Sequence, residues 1–101
     1  MASRYDNAAQ QRILRAVVVL AGNEFMGIAP GELAKALGES PSTATRDLHN
    51  MKEAGFAEQI EQTGRWRLGP KMVQVALSFS HELTRARTRL DEITQRYTRS
   101  I

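Results

Sequence analysis

Cysteine is absent from this 101-residue sequence, which excludes disulfide bonds and thiolate metal sites. No run of about 18 apolar residues occurs, so a membrane-spanning helix is excluded as well. The N-terminal residues lack the basic and apolar regions of a signal peptide, and we therefore expect a cytoplasmic protein. A chain of this length has room for one compact domain.

Residue patterns that support catalysis are also missing. The two histidines, His49 and His81, have no acidic residue at metal-ligand spacing, and no glycine-rich phosphate loop is present. Glu58 and Glu61 flank a predicted turn and form no evident acid–base pair. We therefore expect neither an enzyme nor a cofactor.

The charge balance favours a polyanionic partner. The chain has 14 Lys and Arg against 11 Asp and Glu, giving a net charge of +3, and its pI is about 9.8. Cationic side chains release condensed counterions from nucleic acid, so a positive net charge is compatible with DNA binding. The charge alone does not identify the partner.

Apolar spacing predicts three helices in the first half of the chain. The first runs from about residue 7 to 22, the second from about 30 to 37 and the third from about 41 to 54. Gly38 ends the second helix, and Ser40 is a suitable N-cap for the third. Two short helices joined by a glycine-containing turn form a helix-turn-helix pattern.

A β-hairpin follows the third helix. Residues 56–60 and 65–68 have the pattern of strands, and residues 61–64 form the turn between them, with Gly64 able to supply a positive φ. Trp66 alternates to the face of the core, so we expect it to be buried rather than stacked on a base. A hairpin at this place, within residues 56–68, is a wing.

The remainder of the chain predicts one long helix from Lys71 to near Arg99. Its apolar residues, here called the heptad seam, recur at alternating steps of four and three, as in a coiled coil. Such a helix needs a partner in water, and we expect a homodimer, with possible help from the first helix. Helix orientation and a tetramer remain open. The seam consists of Met72, Ala76, Phe79, Leu83, Ala86, Leu90, Ile93 and Tyr97.

Residues 12–77 resemble the N-terminal DNA-binding domain of IclR-type transcriptional regulators. The most specific part of the resemblance is the wing, where the family typically has T-G-R-Y-R-L-G. The matching stretches are Gly31-Glu32-Leu33-Ala34-Lys35-Ala36-Leu37-Gly38, Ser42-Thr43-Ala44-Thr45-Arg46, Gly55-Phe56 and Thr63-Gly64-Arg65-Trp66-Arg67-Leu68-Gly69-Pro70-Lys71.

The resemblance implies a winged helix-turn-helix whose third helix enters the major groove of DNA. Ser42, Thr43 and Arg46 would then contact phosphates or base edges, and Arg65 would lie near the DNA backbone.

The chain also departs from the IclR pattern at three points. Asp47 stands where the family usually has leucine, and Ala29 replaces the usual Ser or Thr cap. The family's large C-terminal effector-binding domain is absent, so whatever that domain senses is not carried over, and no small-molecule effector is evident.

The chemistry of the third helix and the wing gives the candidate contacts. Arg46 can fork to a guanine edge, Asn50 can pair with adenine, and arginines on a wing suit phosphate or the minor groove. A solvated polar surface is the alternative for each of them. We expect the Asp47 carboxylate to pair with Arg12 or Arg15 instead of meeting DNA. The predicted DNA-contacting residues are Ser42, Thr43, Thr45, Arg46, Asn50, Arg65 and Arg67.

The sequence as a whole predicts a mainly α fold with a small hairpin, a winged helix-turn-helix over residues 1–70 and a dimerisation helix over 71–101. The predicted function is sequence-specific binding of double-stranded DNA by a transcriptional regulator. The alternative is a winged-helix adaptor or assembly module that binds protein through the long helix.

Overall fold

A computed structural model describes residues 3–99 of the chain. It confirms the predicted fold class, a mainly helical winged helix-turn-helix followed by a long helix, and each predicted element lies within a few residues of its expected bounds. The elements are α1 (Ala8–Leu20), α2 (Pro30–Leu37), α3 (Pro41–Glu53), β1 (Ala57–Gln59), β2 (Trp66–Leu68) and α4 (Pro70–Thr98).

Side chains just outside the helices satisfy the free backbone N–H groups at their N-termini. Asn7 caps α1, and Ser40 Oγ accepts a hydrogen bond of 3.2 Å from the Thr43 N–H at the start of α3. Ala29 cannot cap α2 with its side chain. Instead Glu32, in the first turn, accepts a 3.1 Å hydrogen bond from the Ala29 N–H, which provides one half of a capping box.

The core lies where α1, α2, α3 and β2 meet. Trp66 is only 1% exposed, which confirms its predicted place in the core, and it packs with the fully buried Leu20, Leu33 and Leu48. These residues come from the apolar faces that helical spacing predicted for the three helices.

The wing is a short antiparallel hairpin with an additional partner. In β1 and β2, Ala57 pairs with Leu68 and Gln59 with Trp66. On its other edge Trp66 exchanges two backbone hydrogen bonds with Ile28, of 2.7 and 2.8 Å, so one residue of the loop before α2 bridges to β2. The backbone N–H and C=O of the buried tryptophan are thereby both bonded to Ile28.

A close backbone crossing fixes the start of α4. The Gly69 N–H donates to Phe56 O at 3.0 Å, and the Lys71 N–H donates to Gly55 O at 3.1 Å. A Cβ at Gly69 would stand 2.5 Å from Gly55 O, so only glycine allows these two segments to approach so closely. The direction of α4 is therefore set by the end of α3 and the start of β1.

Beyond this crossing α4 leaves the core. None of its described residues is buried, and Phe79, Leu83 and Leu90 of the heptad seam are each more than half exposed. No helix within residues 3–99 is long and apolar enough to cross a membrane.

Candidate nucleic-acid interface

The outer side of α3 is a polar surface with one arginine free to bind. Ala44, Leu48 and Met51 face the core, and Ser42, Arg46, His49 and Glu53 project on the opposite side, here called the recognition face. Among the described residues, the Arg46 guanidinium has no hydrogen-bond or ion-pair partner. A guanidinium in this state retains all five N–H donors for an external acceptor.

Asn50 and Thr45 flank the recognition face. The Asn50 side-chain amide donates to Arg46 O at 3.0 Å, one turn back on the same helix, which leaves its carbonyl oxygen and one N–H available. Thr45 is exposed. Both predicted contact residues are thus at the surface of α3, one on each flank.

Three hydroxyl groups cluster at the N-terminus of α3. Ser40 Oγ lies 3.2 Å from Ser42 Oγ, donates to Thr43 Oγ1 at 2.9 Å and accepts from the Thr43 N–H. Ser42 is exposed, but Thr43 is half-buried. Of the two predicted phosphate contacts, Ser42 is therefore the more accessible.

The Asp47 carboxylate is turned away from the recognition face. It is 4% exposed and accepts hydrogen bonds from Arg12 Nε at 2.5 Å and Arg12 Nη2 at 2.9 Å. This confirms the predicted pairing and selects Arg12 over Arg15. The hydrogen bond to Asp47 raises the pKa of Arg12, so this guanidinium stays charged. The pair joins α1 to α3 and keeps a negative charge off the recognition face.

The two wing arginines are paired within the chain. Arg65 donates to Gly27 O at 3.1 and 3.2 Å and lies 3.0 Å from the Glu32 carboxylate. Arg67 Nε donates to Glu58 at 2.6 Å across the hairpin. Both remain about one-third exposed. The sequence predicts that both arginines contact DNA and does not predict these partners, which already use part of their hydrogen-bonding capacity.

A contact between His49 and Trp66 was missed by sequence analysis. The two rings meet edge to face with centroids 5.1 Å apart and planes at 78°. His49 lies on the recognition face and Trp66 in β2, so the contact links the wing to α3. Helical spacing placed His49 on this face but gave no indication that an aromatic ring lies beneath it.

No group of three His, Cys, Asp or Glu side chains in residues 3–99 is arranged to hold a metal ion. No protein-family model matches the chain, and no curated protein matches it either. Among solved structures, it is similar to the Zalpha domain of ORF112 from Cyprinid herpesvirus 3, studied for its binding mode to Z-DNA. The two chains are 25% identical with a TM-score of 0.53, over 58% of this chain and 93% of the other. The three-helix core and hairpin therefore form a winged-helix domain, from which α4 extends.

Proposed function

We propose that the chain binds double-stranded DNA through α3 and the wing. The observation that carries this proposal is the Arg46 guanidinium, which has no partner among residues 3–99 and lies at the centre of an exposed helix face beside a hairpin. Pairing of Asp47 with Arg12 keeps a carboxylate away from that face. The similar viral domain, which has the same fold, binds Z-DNA, and this supports a nucleic-acid partner.

In the proposed complex α3 lies in the major groove. Arg46 donates two hydrogen bonds to the edge of a guanine. The Asn50 side-chain amide forms hydrogen bonds with a neighbouring base, and Thr45 contacts a base or sugar. Ser42 and Thr43 lie at the helix N-terminus, whose partial positive charge attracts a phosphate.

The wing arginines have a dual role in this proposal. Arg65 and Arg67 hold the wing through Gly27, Glu32 and Glu58, and their remaining N–H groups reach the DNA backbone. Their contacts carry no base preference, whereas α3 supplies the sequence dependence.

We further propose a sequence-specific transcriptional regulator of the IclR type that acts as a homodimer. The motif matches in α2, α3 and the wing support the first part. The exposed heptad seam of α4 supports the second, since an isolated amphipathic helix is marginally stable in water. A two-fold dimer presents two recognition helices to paired half-sites.

Recognition of left-handed DNA is the second candidate function. It is favoured by one observation, the similarity to a viral domain that binds Z-DNA. It uses the same face of α3, and differs from the first candidate in the shape of the duplex that is bound rather than in the protein surface.

The first experiment is fluorescence anisotropy of the full chain on a pool of random duplexes, followed by sequencing of the bound fraction. The regulator proposal expects micromolar or tighter binding, a steep salt dependence and an enriched two-fold-related sequence. Preference for an alternating dC–dG duplex, with inversion of its circular dichroism on binding, would favour the second candidate. Absence of binding at low salt would reject both and favour the adaptor.

The Arg46→Ala variant tests the recognition face. If Arg46 contacts a base edge, the variant loses about 1–3 kcal/mol of affinity for the enriched duplex and much less on scrambled DNA. Arg15→Ala, which removes the same charge from the exposed side of α1, is the matched control and should leave the difference between the two duplexes unchanged. Equal losses on both duplexes for Arg46→Ala would remove this residue from base recognition.

A further inference from the structure

The heptad seam of α4 has the same spacing in both directions along the chain. Its eight residues follow one another at steps of four, three, four, three, four, three and four. Two antiparallel copies can therefore place every seam residue opposite another, with the two-fold axis passing between Thr84 and Arg85. The seam is a continuous exposed surface, because Phe79, Leu90 and Tyr97 are all more than 60% exposed.

In the antiparallel register small residues face larger ones. Each alanine of the seam meets a branched aliphatic side chain of the other copy, and the large side chains are spread over separate layers. Facing positions that combine large and small residues fill the space between two helices evenly. The facing pairs are Met72 with Tyr97, Ala76 with Ile93, Phe79 with Leu90 and Leu83 with Ala86.

The parallel register packs the same residues poorly. It places each seam residue opposite itself, so Ala76 meets Ala76 and Ala86 meets Ala86, and each of these layers is left underfilled. Phe79 would meet Phe79 and Tyr97 would meet Tyr97, which forces the helices apart at those layers. Side-chain volume thus favours the antiparallel pair.

Charges beside the seam complement one another in the antiparallel pair. Glu82 and Arg89 flank the seam on the same side, and the antiparallel register brings Glu82 of each copy near Arg89 of the other. Within a single chain Glu82 forms an ion pair with Arg85, three residues further along the same helix. A parallel pair would instead bring Glu82 near Arg87, so the identity of the partner arginine reports the orientation.

An apolar groove beside the first turn of α4 can be covered by the C-terminal end of an antiparallel partner. It has a volume of about 490 Å³ and lies between α1, the end of α3 and α4, where Leu14, Val17, Phe56 and Met72 line it. Because Met72 faces Tyr97 of the second copy in this register, the C-terminal end of that copy lies over the groove. In a parallel pair the C-terminal ends project away from both winged domains.

We propose that the heptad seam of α4 binds a second copy of this chain in antiparallel orientation, centred between Thr84 and Arg85. The proposal rests on the homodimer proposed above and assigns its geometry. It separates the two Pro70 residues by about 43 Å along the helix pair, at 1.5 Å per residue. The winged domains then lie at opposite ends of a rod longer than one turn of DNA, which is about 34–36 Å.

Cysteine crosslinking distinguishes the two orientations, since the native chain contains no cysteine. A disulfide forms where two Cα atoms are about 4.4–6.8 Å apart. In the antiparallel dimer the two Phe79 positions are about 16 Å apart along the axis. Phe79→Cys alone and Leu90→Cys alone should therefore stay uncrosslinked, and a mixture of the two chains, one of them tagged, should give a mixed disulfide.

Self-crosslinking of Phe79→Cys without a mixed product would overturn the antiparallel register. Sedimentation of the unmodified chain, measured alongside, separates this result from failure of the homodimer itself. A monomer at high micromolar concentration would reject both the dimer and its geometry. DNA binding by the same sample is measured separately, by fluorescence anisotropy.

Charge variants give a second and milder test. Arg89→Glu should weaken dimerisation about tenfold, because two attractive pairs with Glu82 become repulsive. Adding Glu82→Arg to the same chain should restore the dissociation constant to within about threefold. Arg87→Glu is the matched control and should change it by less than about threefold, since Arg87 faces Ser80 in the antiparallel register. A larger effect for Arg87→Glu than for Arg89→Glu would contradict the proposal.

Discussion

Replacement of Gly69 by alanine is the sharpest perturbation of the crossing between β1 and α4. The added Cβ would stand 2.5 Å from Gly55 O, 3.0 Å from Ala57 N and 3.2 Å from Ala57 C. The first distance is about 0.8 Å shorter than an ordinary carbon–oxygen contact of about 3.3 Å. All three atoms belong to the backbone, so no side chain can rotate away to relieve the contact.

The loss of stability in Gly69→Ala depends on how the two crossing backbone segments must move apart. Separating the two segments stretches the hydrogen bonds that Phe56 O and Gly55 O accept, each contributing about 1 kcal/mol, and overpacking adds about 1–3 kcal/mol. Gly69 has a φ of −87°, which alanine adopts without strain, so the reduced entropy of the unfolded chain returns about 0.4–1 kcal/mol. We expect Gly69→Ala to lower the free energy of unfolding by about 2–4.5 kcal/mol.

The measurement is urea unfolding at one fixed protein concentration, followed by the fluorescence of Trp66. This residue is the only tryptophan of the chain and is buried in the core. Gly31→Ala is the control, because a Cβ there meets nothing within 4 Å, and helix propensity should raise stability by about 0.5–1 kcal/mol. A Gly69→Ala protein within about 0.5 kcal/mol of the native chain would refute the close crossing.

Three further predictions concern the wing, the loop before α2 and α4. Arg65→Lys should lower the melting temperature as well as DNA affinity, because lysine cannot replace the forked contacts to Gly27 O, and unchanged melting would show these contacts to be dispensable. The backbone N–H of Gly22 lowers the pKa of Glu24, so this carboxylate stabilises the fold above its unfolded pKa and loses that effect as the pH falls through its folded pKa. Glu24→Gln should therefore flatten acid unfolding, and an identical acid profile would contradict this. Leu83→Asp should give monomers in sedimentation with much weaker DNA binding, and an unchanged oligomer would contradict the role of α4.

Much of the fold could be predicted because its causes are local. Helical spacing and the residues that begin and end helices define α1 to α3, and alternation with Gly64 at a positive φ defines the hairpin. Burial of Trp66 followed from that alternation. The Asp47–Arg12 pair could be anticipated because a carboxylate beside an apolar stripe needs a cation, and α1 is the neighbouring helix.

Other features depend on contacts between distant segments, for which no local pattern exists. The pairing of Ile28 with Trp66 needs a loop and a strand to meet, and no alternation marks Ile28 as a strand residue. Arg65 and Glu32 lie in the wing and in α2, so their ion pair became evident only from the fold. The resemblance of the wing to the IclR pattern predicted that Arg65 and Arg67 are available to contact DNA. In the tertiary structure the same side chains also hold the hairpin in place.

The exposure of α4 has a consequence for how the protein responds to its own abundance. A helix with no buried residue depends on association for its stability, so we expect folding of α4 and dimer formation to be one equilibrium. Below the dissociation constant of the proposed dimer, the concentration of paired domains then rises with the square of the number of copies. For the proposed dimer, occupancy of an operator that needs both winged domains would therefore rise with about the square of the copy number at low abundance.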